Sequence, residues 1–330
     1  MNKVIVNMWH IKNTNGLYYY ALDYIDSLKT IDTIVLRKGF PESSSVGLLK
    51  EKYNVVHLSV SSYLLYIFRC YLAGVFIFTP SSHPLPFLKK QLVIVHDMYP
   101  FAGTKGWLKK KLFKLSVKTA RCKVGYINSS SVKNDLLEMG IPADRFLFCP
   151  NKFPQSSEPP IPLLTISGSA IIVGLVGTDS DKKNYHNLFT CVRATELGAR
   201  LKFIIYGHET EYFNTLCSNF QDLDISLVRS DEARLELFMT KINVLISVCV
   251  MEGFGRPVAT SLVNNVPTHL IRCNVFEEFF EGGAYFYNNI DELLYGILNT
   301  PLSPPPRNYH PPIAVLNAYK MAIEYIRFGR

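Results

Sequence analysis

The chain has 330 residues, of which 48% are hydrophobic and 19% charged, and a formal net charge of +8. This composition excludes a disordered or fibrous protein, and the length suits two compact domains better than one. Seven cysteines at 70, 122, 149, 191, 217, 249 and 273, with no Cys-x-x-Cys among them, exclude a disulfide framework and a cysteine zinc site and fit a reducing cytoplasm.

From the N-terminus, short β-branched runs alternate with helical patterns. Strands are expected at Val4–Asn7, Thr33–Leu36, Val55–Leu58, Gly74–Phe78, Leu92–His96 and Lys123–Asn128. The first run is too short and too polar at its end for a signal peptide. Gly16, in Asn13-Thr14-Asn15-Gly16-Leu17, closes the first strand-to-helix loop and lets backbone approach a ligand. Residues 60–79 are apolar enough to raise a membrane span. Arg69 at their centre and the strand-like run Ala73 to Phe78 favour two ordinary elements instead. His83 lies in Ser81-Ser82-His83-Pro84, and His96-Asp97 ends a strand. Histidines at the carboxyl ends of strands can bind substrate or exchange protons near neutral pH, or serve only as structural hydrogen-bonders.

Trp107 to Arg121 reads as a basic amphipathic helix. Leu108, Leu112 and Leu115 recur at helical spacing among Lys109, Lys110, Lys111 and Lys114. Such a helix either lies on an anionic lipid surface or packs its leucines on the sheet. Residues 1–152 hold 21 Lys+Arg against 9 Asp+Glu, and residues 153–330 hold 14 against 18. The basic first half therefore points to an anionic partner. Nucleic acid is not expected, because no recognition module or base-stacking pattern is present.

Residues 153–168 are rich in Pro and Ser and read as a linker. Strands are then expected at Ala170–Val176, Lys202–Tyr206, Ile225–Val228, Val244–Val248 and Thr268–Ile271. The alternation defines an α/β protein with two Rossmann-like domains, 1–152 and 169–312, with a ligand cleft between them. A C-terminal helix within 313–330 is free to pack back on the first domain.

Two loops carry the chemistry. Gly177-Thr178-Asp179-Ser180-Asp181-Lys182-Lys183 leaves a strand and enters a helix near Asn184; lysines at a helix N-terminus suit a diphosphate. Glu252-Gly253-Phe254-Gly255-Arg256-Pro257 follows another strand. Its glycines permit a sharp turn, and Pro257 suits the first helical turn, so free N–H groups converge beside a carboxylate. Either loop taken alone is equally consistent with a solvated turn.

Together these segments resemble the retaining glycosyltransferases of family 4, which have the GT-B fold. The resemblance is strongest in Gly177…Lys182-Lys183-Asn184, in Glu252-Gly-Phe-Gly-Arg-Pro, and in Val266-Pro267…Glu278…Gly283-Ala284-Tyr285-Phe286, and it spans most of the chain. It implies transfer of a hexose, mannose-type by analogy, from a nucleotide sugar to a lipid-linked glycan in O-antigen or capsule synthesis. It further implies a peripheral position on the cytoplasmic face of the cell membrane, with no cofactor and no metal. Glu252 and His96 are then the expected catalytic residues. Lys182, Lys183, Gly177, Gly253, Phe254, Gly255 and Gly16 are expected at the donor, and His83 and Asp97 on the acceptor side. The second Glu of the family's Glu-x7-Glu motif falls at Thr260, which supplies at best one neutral hydrogen bond to the donor. That departure leaves a second reading, a scaffold that kept the fold and lost catalysis. Asp179-Ser180-Asp181 imitates a metal-binding Asp-x-Asp, at a place in the chain where that motif is not expected.

Overall fold

The computed structural model describes residues 3–28, 30–101, 104–155, 170–195, 197–299 and 309–329. The chain divides into two compact units, Met1–Lys152 with Ile313–Arg330, and Phe153–Pro312. Of the linker expected at 153–168, residues 156–168 lie outside the described residues. Phe153 is buried, with its ring edge-on to Phe254 at 5.1 Å, so the chain joins the packing of the second unit at once.

The first unit is built on seven parallel strands: β1 (Val4–Asn7), β2 (Thr33–Arg37), β3 (Val55–Leu58), β4 (Phe76–Thr79), β5 (Gln91–Val95), β6 (Lys123–Tyr126) and β7 (Phe146–Phe148), in the order β3-β2-β1-β4-β5-β6-β7. Several expected strand ends shift by a residue or two, among them those of β2, β4, β5 and β6. The fourth strand starts at Phe76 because Gly74 turns the chain at φ +61, and the fifth ends at Val95, leaving His96 just beyond it. Helices α1 (Gly16–Ser27), α2 (Ser44–Lys52), α3 (Val60–Leu72), α4 (Gly106–Ala120) and α5 (Asn134–Glu138) connect the strands. Asn15, Ser43 and Ser59 cap the first three helices, each accepting a first-turn amide hydrogen that the helix itself cannot satisfy. Residues 60–79 are therefore α3 and β4, and among the described residues no helix is long and apolar enough to cross a membrane.

The second unit repeats the plan with β8 (Ile171–Val176), β9 (Leu201–Gly207), β10 (Ile225–Arg229), β11 (Val244–Ser247), β12 (Thr268–Ile271) and β13 (Tyr285–Tyr287), in the order β10-β9-β8-β11-β12-β13. Its helices are α6 (Tyr185–Ala194), α7 (Glu211–Asn219), α8 (Leu235–Met239), α9 (Arg256–Val263), α10 (Asn274–Phe280) and α11 (Ile290–Asn299). The last helix, α12 (Ile313–Phe328), belongs to the first unit. Ala322, Ile323 and Ile326 join its core, Tyr319 Oη donates to Asp23 O at 2.7 Å, and Arg327 Nη2 donates to Ser27 O at 2.6 Å.

Both sheets reverse their strand order once. In the first unit β1 pairs with both β2 and β4; in the second β8 pairs with both β9 and β11. Loops leaving the two central strands at such a reversal diverge to opposite faces and open a crevice at the carboxyl edge.

Candidate active site

In the second unit the crevice lies between the loop after β8 and the loop after β11. These are the segments Gly177–Asn184 and Val248–Gly255. Lys183 Nζ meets Glu252 Oε1 at 2.9 Å, with the two side chains 17% and 18% exposed. Asn184 Nδ2 donates to Val248 O at 3.3 Å, and Tyr185 Oη donates to Val176 O at 2.9 Å, so α6 begins tied to both strands. Beneath lies a cavity of about 60 Å³ lined by Val176, Lys183, Tyr185, Ser247, Glu252 and Gly255 among others.

Two glycines are required by this geometry. Gly177 has φ +102, and a Cβ there would come within 2.6 Å of Lys183 Cε. Gly255 has φ +88 and would drive a Cβ to 2.7 Å from the Phe276 ring. Gly255 and Pro257 start α9, which has no side-chain cap at its N-terminus.

Burial works against charge on both members of the pair, but mutual attraction and the hydrogen bond overturn it. Lys183 is held above its ordinary value, while Glu252, aided by Lys182, is held below the usual carboxylate range. Both are therefore ionised at neutral pH. The Cys249 thiol beside them is pushed up to about 11 by burial and by the Glu252 charge, which keeps it protonated. Lys182 is exposed at the lip.

Two of the expected donor residues turn away from this cavity. Thr260 is buried within α9, and its hydroxyl donates to Arg256 O at 3.1 Å. The Glu-to-Thr change thus leaves a short side chain satisfied one helical turn back, not one reaching a ligand. The Phe254 side chain is buried in an aromatic cluster with Phe153, Phe279 and Phe280. What it leaves at the loop is backbone, together with Gly253. Among the described residues no group of three or more His, Cys, Asp or Glu side chains could hold a metal ion, and Asp179 and Asp181 gather no such set. A larger open groove of about 850 Å³ runs beside α7, with Arg229 in its lining. That guanidinium is already engaged by Asp231 and Glu232. The sheltered, charged crevice at the strand reversal is the better site.

In the first unit the corresponding loops follow β1 and β4. They bring His10 and His83 into parallel stacking at 4.0 Å between centroids. Trp9 stacks on Tyr63 of α3 at 4.4 Å, its Nε1 donates to Leu58 O at 2.9 Å, and the Arg37 guanidinium lies 5.3 Å from its ring. Burial, His83 and Arg37 lower the pKa of His10 to about 3; burial and Lys109 lower that of His83. Both imidazoles are therefore neutral at pH 7. His83 had been expected here, but Trp9, His10, Arg37 and Tyr63 had not. His10 lies three residues past the first strand, whereas His96 directly follows its own, so a rule that reads only strand ends reaches His96 and not His10. His96 itself is half-buried, its Nε2 3.2 Å from Pro80 O and its ring edge-on to Tyr20 at 4.4 Å. Asp97 beside it is exposed. Gly16 opens α1, and a Cβ there would meet nothing within 4 Å, so the fold does not require glycine at this position.

Two parallel-sheet Rossmann-like units, each with one strand reversal, give the chain the GT-B fold seen in known glycosyltransferases. Among known proteins the chain is similar to the O-antigen chain mannosyltransferase RfbU of Salmonella typhimurium, 23% identical over 316 residues covering 88% of each chain. It superposes on Anabaena HepE, solved with UDP and glucose, with a TM-score of 0.71 at 14% identity, covering 99% of this chain and 97% of that one. It also superposes on WaaG, a glycosyltransferase of lipopolysaccharide biosynthesis, with a TM-score of 0.65 at 9% identity, covering 98% and 95%. No protein-family model matches the chain.

Proposed function

We propose that this protein is a retaining hexosyltransferase of family 4 type. It moves a hexose, mannose by analogy with RfbU, from a nucleotide sugar to a lipid-linked oligosaccharide during O-antigen or capsule synthesis. The observation that carries the reading is the ionised Lys183–Glu252 pair at the β8/β11 reversal, beside the start of α9. In this reading Lys183, Lys182 and the N-terminus of α9 take the diphosphate and stabilise the charge that grows on it as the sugar leaves. Glu252 accepts hydrogen bonds from sugar hydroxyls, and the backbone of Gly253, Phe254 and Gly255 borders the sugar. The first unit binds the acceptor near His83 and Asp97, with His96 near the reacting sugar carbon and Gly16 in the loop that faces donor and acceptor. The reaction uses no cofactor and no metal, since the lysines and helix ends supply the positive charge. The protein works peripherally on the inner face of the cell membrane, where Lys109, Lys110, Lys111 and Lys114 meet anionic lipid.

A thermal-shift screen with GDP-, UDP-, dTDP- and ADP-sugars tests this, because a ligand that binds only the folded state raises its melting temperature. Stabilisation by one nucleotide sugar, abolished in Lys183→Met and followed by transfer to a lipid-linked acceptor, supports it. Stabilisation without transfer to any acceptor favours the scaffold reading, which rests on Thr260. No stabilisation by any of the four overturns both.

A further inference from the structure

The helix α3 is apolar over most of its surface, with Ser61, Ser62 and Arg69 as exposed polar exceptions. Tyr63 and Cys70 on its inward side pack with Ile5, Val35 and Ile77 of the sheet. Leu64, Leu65, Phe68, Tyr71 and Leu72 on its outward side are exposed, Leu64 by 64% and Phe68 by 57%. A helix hydrophobic on both sides is ordinarily buried on both. The pattern recurs in α4. Gly106, Phe113, Val117 and Ala120 are buried. At about 100° per residue the stripe Leu108, Leu112 and Leu115 falls on the opposite side. All three leucines are exposed, as is Trp107. The leucines expected to pack on the sheet or on lipid are thus not the ones that hold this helix to the sheet.

The sheet order places the two helices together. The crossovers β3 to β4 and β5 to β6 step across the sheet in the same direction, and right-handed connection puts α3 and α4 on the same face. The crossovers through α1 and α2 step the other way. Side chains link the two helix starts. Lys109 of α4 lies close enough to depress His83, His83 stacks on His10, and His10 meets Tyr63 of α3 edge-on at 6.0 Å. Charge sets what this face can meet. The helix α4 carries Lys109, Lys110, Lys111, Lys114 and Lys118 with no Asp or Glu, and Lys89 and Lys90 are exposed in the segment between the helices. Self-association through a two-fold contact would set these lysines against their own copies. An anionic bilayer satisfies both the charge and the apolar side chains.

We infer that α3 and α4 form one membrane-docking face, on which Leu64, Leu65, Phe68, Tyr71 and Leu72 of α3 enter the apolar boundary of an anionic bilayer while the α4 lysines bind its phosphate headgroups. This rests on the membrane partner proposed above and adds to it apolar insertion by a second helix. The chain has two tryptophans, and of these Trp107 stands exposed at the start of α4 while Trp9 is stacked on Tyr63, so the face carries its own reporter.

The test uses the full chain with vesicles of phosphatidylethanolamine and phosphatidylglycerol, at low salt and at 1 M salt, reading co-flotation and quenching of Trp107 by brominated lipid. Two variants are compared: Leu64→Gln/Leu65→Gln/Phe68→Gln on α3, and Lys109→Glu/Lys110→Glu/Lys111→Glu on α4. Wild type should retain part of its binding at high salt. The α3 variant should lose that part, with partitioning weaker by at least about a hundredfold. The α4 variant should lose mainly the salt-sensitive part. Unchanged UDP- or GDP-sugar stabilisation in the α3 variant shows that its fold and donor site are intact. If no nucleotide sugar stabilises the wild type, the proposed function fails while the vesicle result stands independently. Binding that vanishes at high salt and ignores the α3 changes overturns insertion. So does a wild-type dimer that ignores vesicles and dissociates in the α3 variant, because a second copy then covers the face.

Discussion

Replacing Lys183 by Met leaves the Glu252 carboxylate sheltered without the cation it is hydrogen-bonded to, and the consequence can be worked through. At 2.9 Å the gross attraction is about 6 kcal/mol at an effective dielectric of about 20. Desolvation of both groups offsets part of this. Losing one partner of a fully buried pair costs about 3–5 kcal/mol, and the slight exposure of both side chains puts the expected cost at the lower end, about 3 kcal/mol. The pH dependence separates this from a simple packing loss. In the wild type Glu252 is held below its unfolded value, so its contribution is present above the unfolded carboxylate pKa and is lost as pH falls through the folded one. In Lys183→Met the weaker field of exposed Lys182 and the Cys249 hydrogen bond are left to oppose burial. Glu252 then rises above its unfolded value, and acidification relieves the variant. Urea unfolding of wild type, Lys183→Met, Glu252→Gln and the double variant should give a coupling of about 2–3 kcal/mol at pH 7.5 that shrinks toward pH 5. Additive single effects, or a gap that does not change with pH, would refute the argument that the two groups stabilise each other as ions.

Gly177→Ala should destabilise the second unit by about 1–3 kcal/mol and abolish nucleotide-sugar stabilisation, because the added Cβ strains a left-handed backbone and displaces Lys183; melting curves with and without ligand check both effects. Thr260→Val should cost less than about 1.5 kcal/mol and leave nucleotide-sugar affinity within twofold, since the hydroxyl serves only the helix; a tenfold loss by calorimetry would place Thr260 at the ligand. His10, whose pKa is lowered to about 3, binds its proton far more readily once unfolded. The first unit should therefore lose stability as pH falls from about 6.5 toward 3, by at most about 1.4 kcal/mol per pH unit from this group. His10→Gln should flatten that slope, and an NMR titration showing His10 protonating near pH 6.5 would contradict it.

The parts that were legible in the sequence follow from where the physics is local. Thr268–Ile271 is buried along its whole length and Val244–Ser247 in all but its last residue, as parallel strands with both faces covered must be, and such runs stand out in sequence. The glycines at 177 and 255 marked turns for the same reason that they are needed there. Phe146–Phe148 and Tyr285–Tyr287 were not legible, because three-residue edge strands are too short to show a period. The site divides along the same line. Lys183 and Glu252 are 69 positions apart, and each loop alone is consistent with a solvated turn; only the β8-to-β11 pairing makes them one ion pair. Motif spacing located Thr260 but not its surroundings: one turn beyond Arg256, it is satisfied by its own helix. The outward face of α3 was hidden for the opposite reason. A helix apolar on most of its surface, broken only by Ser61, Ser62 and Arg69, gives little contrast between core and surface, so its composition announces burial without saying by what. Sheet order supplies the missing distinction. One apolar side has the sheet beneath it, and the other shares its face with the lysines of α4.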